Sequence, residues 1–312
     1  MTLRRTLIKV VLVGAALSVS ACATSRDSSL TNADTLVKGS TQGDFQKALA
    51  DADALWEGRI ERAKLEQAIS AWEAAVKISS DNISADERRL ALAETYAKIA
   101  RAQYFLADAH IRMGEGSEDA INEQMKMTFE KGVTAAEKSL AVYNPDIAKK
   151  MADGDIEAVN KLDKGAVPSL YWYATNMGKW ALLEGFGTIL EHKDNIKAVM
   201  DFVEKESPLY FHGAPPRYFG AYYAKLPGFA GGDLDKSKSY FEQAMAADAD
   251  WLSTPVLMAE LHAVKSEDKA AFKQLLEQVL AYDLDKKPEY KPENEFEQRK
   301  ARRMLDKMDS YF

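Results

Sequence analysis

The sequence predicts an all-α protein built as an array of helical hairpins. Three observations carry this expectation. From Phe45 onward the apolar residues recur with a period close to 3.6, the spacing of one helical face. A spacing of small and aromatic residues at i, i+4 and i+7 returns three times along the chain. Nine prolines and seventeen glycines in 312 residues suit long regular elements better than a loop-rich fold. No convincing run of period-two strand residues interrupts the pattern.

With 46% hydrophobic and 29% charged residues, the chain can bury one large core or two smaller ones. Its 41 basic and 48 acidic residues give a net charge of -7, which argues against general nucleic-acid binding. A single cysteine excludes an internal disulfide framework and a thiolate metal cluster.

The first twenty-one residues read as a leader. Arg4, Arg5 and Lys9 precede an apolar stretch from Val10 to Val19, about half the length of a bilayer span. Val19-Ser20-Ala21-Cys22 then resembles the lipobox of bacterial lipoproteins. That resemblance implies cleavage before Cys22, lipid attachment at Cys22 and a periplasmic, membrane-anchored mature protein. Ala23 stands where aspartate resembles an inner-membrane retention signal, so the outer membrane is the expected anchor site. The bland alternative is an ordinary secretory leader with an incidental cysteine. Removing residues 1–21 leaves 38 basic and 48 acidic residues, a net charge of -10. Residues 22–44 are rich in Ser and Thr and read as a lipidated, flexible tether reaching at most about 75 Å.

A single all-helical domain is expected over 45–312. Phe45, Leu49, Ala52 and Trp56 share one face, as do Leu65, Ala68, Ile69, Trp72, Ala75 and Val76. Ser84 with Glu87 is a capping-box signature for a long helix running to about Gly114. Its buried side should carry Leu92, Tyr96, Ile99, Ala100, Gln103, Ala107 and Ile111. Thr254-Pro255 predicts an N-cap followed by proline at the first helical position, and Ser266 a cap for the helix bearing Phe272, Leu275, Leu276, Val279 and Leu280 on its apolar side. The last helix places Ala301, Met304, Leu305, Met308 and Phe312 on one side.

The repeated spacing falls at Ala68, Trp72 and Ala75, at Gly132, Ala136 and Ser139, and at Ser237, Phe241 and Ala244. It resembles the second helix of a tetratricopeptide (TPR) hairpin, in which small residues let helices approach and an aromatic fills the groove. Phe219-Gly220-x-x-Tyr223 fits the partner helix of the third copy. The expected fold is therefore a TPR-like array with irregular repeats, since the copies are unevenly spaced and Ser80 stands where a terminating proline belongs.

Catalytic and metal chemistry find little support. His110, His192, His212 and His262 form no i, i+4 pair, and no H-E-x-x-H occurs. The Asp233-x-Asp235-x-Ser237 segment begins like a calcium loop but has Lys238 for the required glycine and Ala244 for the bidentate glutamate. An N-cap role for Asp233 or Asp235 is the better account. No catalytic set, metal site or cofactor is expected.

The middle of the chain is distinctive. Residues 168–187 and 207–232 hold twelve of the thirty aromatics. Tyr171, Trp172 and Tyr173 point around a helix and cannot all enter one seam. Either a helix buried on all sides or an aromatic-lined internal channel or cavity accommodates them. An exposed protein-contact patch is a third reading. Lys179 and Arg217 are the polar anchors if a ligand there is an anion.

Across about residues 50–312 the chain resembles the TatT family, the T component of TPR-protein-associated tripartite ATP-independent periplasmic (TRAP) transporters. The most specific part is APPRYFGAYYAKLPGFAGGDLDKSKSYFEQA, supported by SLYWYATNMGKWA and by the ending NEFEQRKARRMLDKMDSYF. The resemblance implies a periplasmic TRAP solute-binding protein as partner, a homo-oligomeric assembly, and a channel passing a hydrophobic or carboxylate ligand. Carried onto this sequence, Tyr171, Trp172, Trp180, Arg217, Tyr218 and Tyr222 are the candidate ligand-binding positions. The rival expectation is a TPR-like scaffold lipoprotein that assembles an envelope complex without a small-molecule ligand.

Overall fold

The computed structural model describes residues 26–30, 33–79 and 83–312; Cys22 and Ser80, singled out above, lie outside them. The described residues form helices α1 (Ala33–Lys38), α2 (Phe45–Trp56), α3 (Arg62–Ala75), α4 (Ala85–Phe105), α5 (Glu118–Tyr143), α6 (Pro145–Ala152) and α7 (Val167–Glu184). They continue as α8 (Phe186–Glu206), α9 (Tyr210–Lys225), α10 (Leu234–Ala247), α11 (Ser253–Met258), α12 (Lys269–Ala281) and α13 (Lys291–Asp306). An isolated Thr41–Ile78 bridge is the one β-type pairing among the described residues, so the all-α expectation holds.

Local chemistry sets the helix ends. The Ser84 hydroxyl accepts from the Glu87 backbone N–H while the Glu87 carboxylate accepts from Ser84 N–H, the reciprocal capping box. Asn144 ends α5 and caps α6, its side chain accepting from Ile147 N–H with Pro145 in the first turn. Gly185, at φ 129°, supplies the backbone conformation that turns α7 into α8. Asp233 caps α10 by accepting from Lys236 N–H, the N-cap role expected of it.

Successive helices pack as hairpins, with α2 on α3, α4 on α5, α7 on α8 and α9 on α10, while α5 also packs on α7. All nine residues of the three spaced triplets are buried. Trp72 is 1% exposed between Ala68 and Ala75, and Ser237, Phe241 and Ala244 are all fully buried. Gly220 lies flat on the Phe241 ring: a Cβ there would come within 2.7 Å of the ring carbons. Gly132 gives way in the same manner to Asn176, whose Nδ2 donates to the Ala100 and Trp172 carbonyls. A large core runs through α2–α9, and a smaller one joins α11, α12 and α13 around Phe272, Leu276 and Met304.

The structure differs from expectation in three places. Residues 26–30 and 33–44, expected as part of the tether, dock on the helical body. Arg26 pairs with buried Glu137 at 2.6 Å, Leu30 is 5% exposed, and α1 packs on α5. One buried ion pair and one apolar anchor overcome a tether-like composition. Helix α11 begins at Ser253, so Thr254 is inside it and fully buried. Ser266 does not cap α12; Asp268 does, accepting from Ala271 N–H, while the Ser266 hydroxyl donates back to the His262 carbonyl.

Candidate functional site

Two of the helices widen by one residue per turn where they meet the middle of the molecule. Leu106–Ile111, continuing α4, and Ala259–Ala263, continuing α11, are π-helical. Such turns re-aim side chains that a regular helix would place elsewhere and recur at functional sites. Here they bring Asp108 and Glu260 to the wall of a cleft of about 210 Å³, bounded by α4, α7, α8, α9, α11 and α13. For scale, an apolar cavity of about 150 Å³ holds benzene.

The cleft combines aromatic walls with a charged end, and the two meet where Lys179 Nζ lies 5.8 Å from the Tyr104 ring. The aromatic walls include Tyr104, 5.7 Å from Trp172, and Tyr171, 5.9 Å from Phe211. At the charged end Asp108 receives Lys179 at 2.8 Å, Lys300 at 2.5 Å and Arg112 at 3.5 Å. Arg112 also pairs with Glu260, and Lys300 with Glu297 at 2.9 Å. Burial would push the Asp108 carboxyl up, but Lys179, Lys300 and Arg112 together hold it well below the usual carboxylate range. Glu260 follows the same logic, its burial outweighed by Arg112 and Lys179. Lys225, at the exposed end of α9, makes no ion pair among the described residues; desolvation and the neighbouring Lys179 and Arg112 charges lower its ammonium pKa, against the pull of Glu260. Other stretches of the wall are apolar and small: Ala174, Gly178 and Ala181 on α7, and Ala214 and Ala221 on α9.

The residues before Arg217 carry an unusual backbone. Phe211 (φ 46°), His212 (φ 60°) and Gly213 (φ 68°) make one left-handed turn within α9. The left-handed form costs roughly 1–2 kcal/mol for each non-glycine residue, so the turn must be held. Arg217 holds it: Nη1 donates to the His212 carbonyl at 2.8 Å and Nη2 to the Phe211 carbonyl at 3.3 Å. The His212 ring stacks on Trp251 at 4.1 Å, and its Nδ1 meets Asp248 at 2.8 Å.

Of the six candidate positions, Tyr171, Arg217, Tyr218 and Tyr222 line the cleft. Trp172 and Trp180 do not; they are 4% and 2% exposed in the core. The aromatic middle is thus partly core and partly cleft wall. Lys179 reaches the cleft but is tied to Asp108. Sequence reasoning missed Tyr104, Asp108, Arg112, Glu260, Glu297 and Lys300; Asp108 with Arg112 and Glu297 with Lys300 are helical neighbours at i, i+4 and i, i+3, but only the fold joins these pairs to each other and to Lys179 and Glu260. Among the described residues no group of histidine, cysteine and acidic side chains is arranged to hold a metal ion.

The described residues form an all-helical array with a cleft between its helices. The model of one protein family, the TRAP transporter T-component, matches residues 77–312, and the chain belongs to that family. Its role is therefore associated with TRAP transport. The chain is also 25% identical over 222 residues to a protein of Treponema pallidum (strain Nichols) described as uncharacterized. The match covers 68% of this chain and 66% of that relative.

Proposed function

We propose that the protein is a lipid-anchored, periplasmic T component that contacts a TRAP solute-binding protein and holds or passes an apolar or carboxylated ligand through its cleft. The observation that carries this reading is the cleft, lined by Tyr171, Arg217, Tyr218 and Tyr222, inside a chain of the T-component family. Lipidation at Cys22 is supported by the basic leader and the Val19-Ser20-Ala21-Cys22 sequence, and the outer membrane as host by Ala23 in place of aspartate. No helix among the described residues is long and apolar enough to cross a membrane. The folded body over 45–312 acts as one unit in this proposal, and copies of it assemble as a homo-oligomer.

Two measurements test the reading. Labelling with radioactive palmitate should mark the full chain and leave Cys22→Ala unmarked. Crosslinking in intact cells followed by capture should recover a periplasmic solute-binding protein. Recovery of other envelope proteins alone, with no ligand retained in the cleft, would support the scaffold reading instead.

A further inference from the structure

We propose that the cleft is selective for a small monocarboxylate, its carboxylate on Arg217 and its apolar body lying between α7 and α9. The inference deepens the reading of this cleft as the ligand site and rests on it. Three observations lead there.

The first is a charge left over. Around the cleft the carboxylates of Asp108, Glu260 and Glu297 are matched by Arg112, Lys179 and Lys300. Arg217 is buried, 6% exposed, and pairs with no carboxylate among the described residues. Its partners are the His212 and Phe211 carbonyls, the Thr254 hydroxyl at 3.4 Å and the Trp251 ring, whose centre lies 6.0 Å from the guanidinium carbon. A buried cation without a counter-ion is costly, and an incoming carboxylate removes that cost. The guanidinium has five donors, so Nε–H and one Nη2 hydrogen remain beyond these three bonds. The left-handed turn it clamps fixes it in place before any ligand arrives, so little order is lost on binding.

The second observation is the shape and finish of the walls. The small residues on α7 and α9 leave a gap rather than a packed seam. A Cβ built on Gly178 meets nothing within 4 Å. Thr175, one turn earlier on the same wall, has a buried hydroxyl without a hydrogen-bond partner among the described residues. Such a group calls for a ligand atom or a water.

The third is the field at the charged end. Lys225 and Lys193, the latter paired with Asp194 outside the lining at 2.6 Å, add to the cations already named, so six basic side chains line the cleft against three acidic ones, in a chain whose net charge is -7. A local excess of this kind draws anions in against the overall charge.

The test uses the folded chain with three probes of one shape: phenylacetate, 2-phenylethanol and 2-phenylethylamine, titrated by calorimetry or ligand-observed NMR. Phenylacetate should bind at least tenfold more tightly than the alcohol, and the amine should not bind. Arg217→Gln should erase the preference for the acid. Because that change can also release the left-handed turn, Gly178→Leu serves as the second variant. It fills open space, should keep the melting temperature, and should abolish phenylacetate binding. Equal affinity for acid and alcohol overturns the proposal and leaves the cleft as a ligand site of another class. Phenylacetate binding unchanged by Gly178→Leu also overturns it, because the acid is then bound elsewhere. If no probe binds, both the proposal and the ligand half of the functional reading fail, while the crosslinking result on partner contact stands by itself.

Discussion

Asp108→Asn isolates the ion network at the charged end of the cleft. The substitution keeps size and shape and removes one charge that three cations share. Lys300, only 5% exposed at its side chain, would retain Glu297 at 2.9 Å, and Arg112 would retain Glu260. Lys179 would lose its carboxylate partner altogether. Breaking a buried ion pair from one side costs about 3–5 kcal/mol, since the partner charge is stranded. At roughly 2–3 °C per kcal/mol for a chain of this size, the melting temperature should fall by about 6–15 °C. Scanning calorimetry at pH 7.5 reads this directly. The pH dependence adds a signature. The Asp108 carboxyl is held below its unfolded value of about 3.9, so its contribution is present above that pH and is lost as pH falls through the folded value. Parent and variant should therefore differ by a constant amount from pH 5 to 8 and converge only in stronger acid. Pairing Asp108→Leu with Lys300→Met should recover part of the loss, as replacing a buried pair by apolar groups often does. If Asp108→Asn melts within 2 °C of the parent, the network does not stabilise the fold and the electrostatic account of the cleft is wrong.

Trp180→Ala should cost about 3–5 kcal/mol in a urea titration while leaving the affinity of a cleft ligand unchanged, since Trp180 is buried in the core away from the cleft. Weakened binding at an unchanged urea midpoint would move it to the ligand site. Gly220→Ala gains up to about 1 kcal/mol of helix propensity but drives a methyl group into the Phe241 ring, an overpacking worth about 1–3 kcal/mol. A net loss of stability is expected, relieved when Phe241→Leu is added; a more stable Gly220→Ala would mean that α9 and α10 do not pack this closely. Burial lowers the imidazole pKa of His110, His212 and His262. As pH falls from 7 to 5 the unfolded chain, titrating near 6.5, takes up protons that the folded chain resists, so the melting temperature should drop over that window. A flat profile would contradict the three burials.

How much of this was legible in the sequence depends on the range of each interaction. Helical faces were legible because periodicity is local. The seven residues expected on the buried side of α4 and its π-helical continuation, from Leu92 to Ile111, are all buried. The capping box at Ser84 was equally local. Ser266 misled because a serine near a helix start can bond backward as well as forward, and Asp268, the better acceptor, lay two residues on. The ion network was out of reach. Asp108 meets Lys179 across 71 positions and Lys300 across 192, and neither spacing leaves a mark on the chain. Lys179 was read as an anchor for an anionic ligand, yet the fold gives that anion from within, as Asp108. The docking of residues 26–30 was hidden for the same reason, since Arg26 finds Glu137 across 111 positions.

The division of the aromatic candidates shows what a single missing fact would have settled. At about 100° per residue, Tyr171, Thr175, Gly178 and Leu182 fall within some 60° of one another on α7, and all four line the cleft. Trp180 lies about 180° from Tyr171 on that wheel, and Trp172 about 100° away. The two tryptophans that turned out to be core were therefore already on a different face from the tyrosine. On α9, Ala214, Arg217, Tyr218, Ala221, Tyr222 and Lys225 make the matching stripe. What the wheel lacks is which stripe opens and which closes, because both mix large and small residues. The small ones decide it. Where Gly220 on α9 meets Phe241 of α10, a glycine makes a close contact. Gly178 on α7 faces α9 with nothing to fill the space. The same residue type seals one face and opens the other, and only the aromatic opposite it, supplied by a distant segment, tells the two apart.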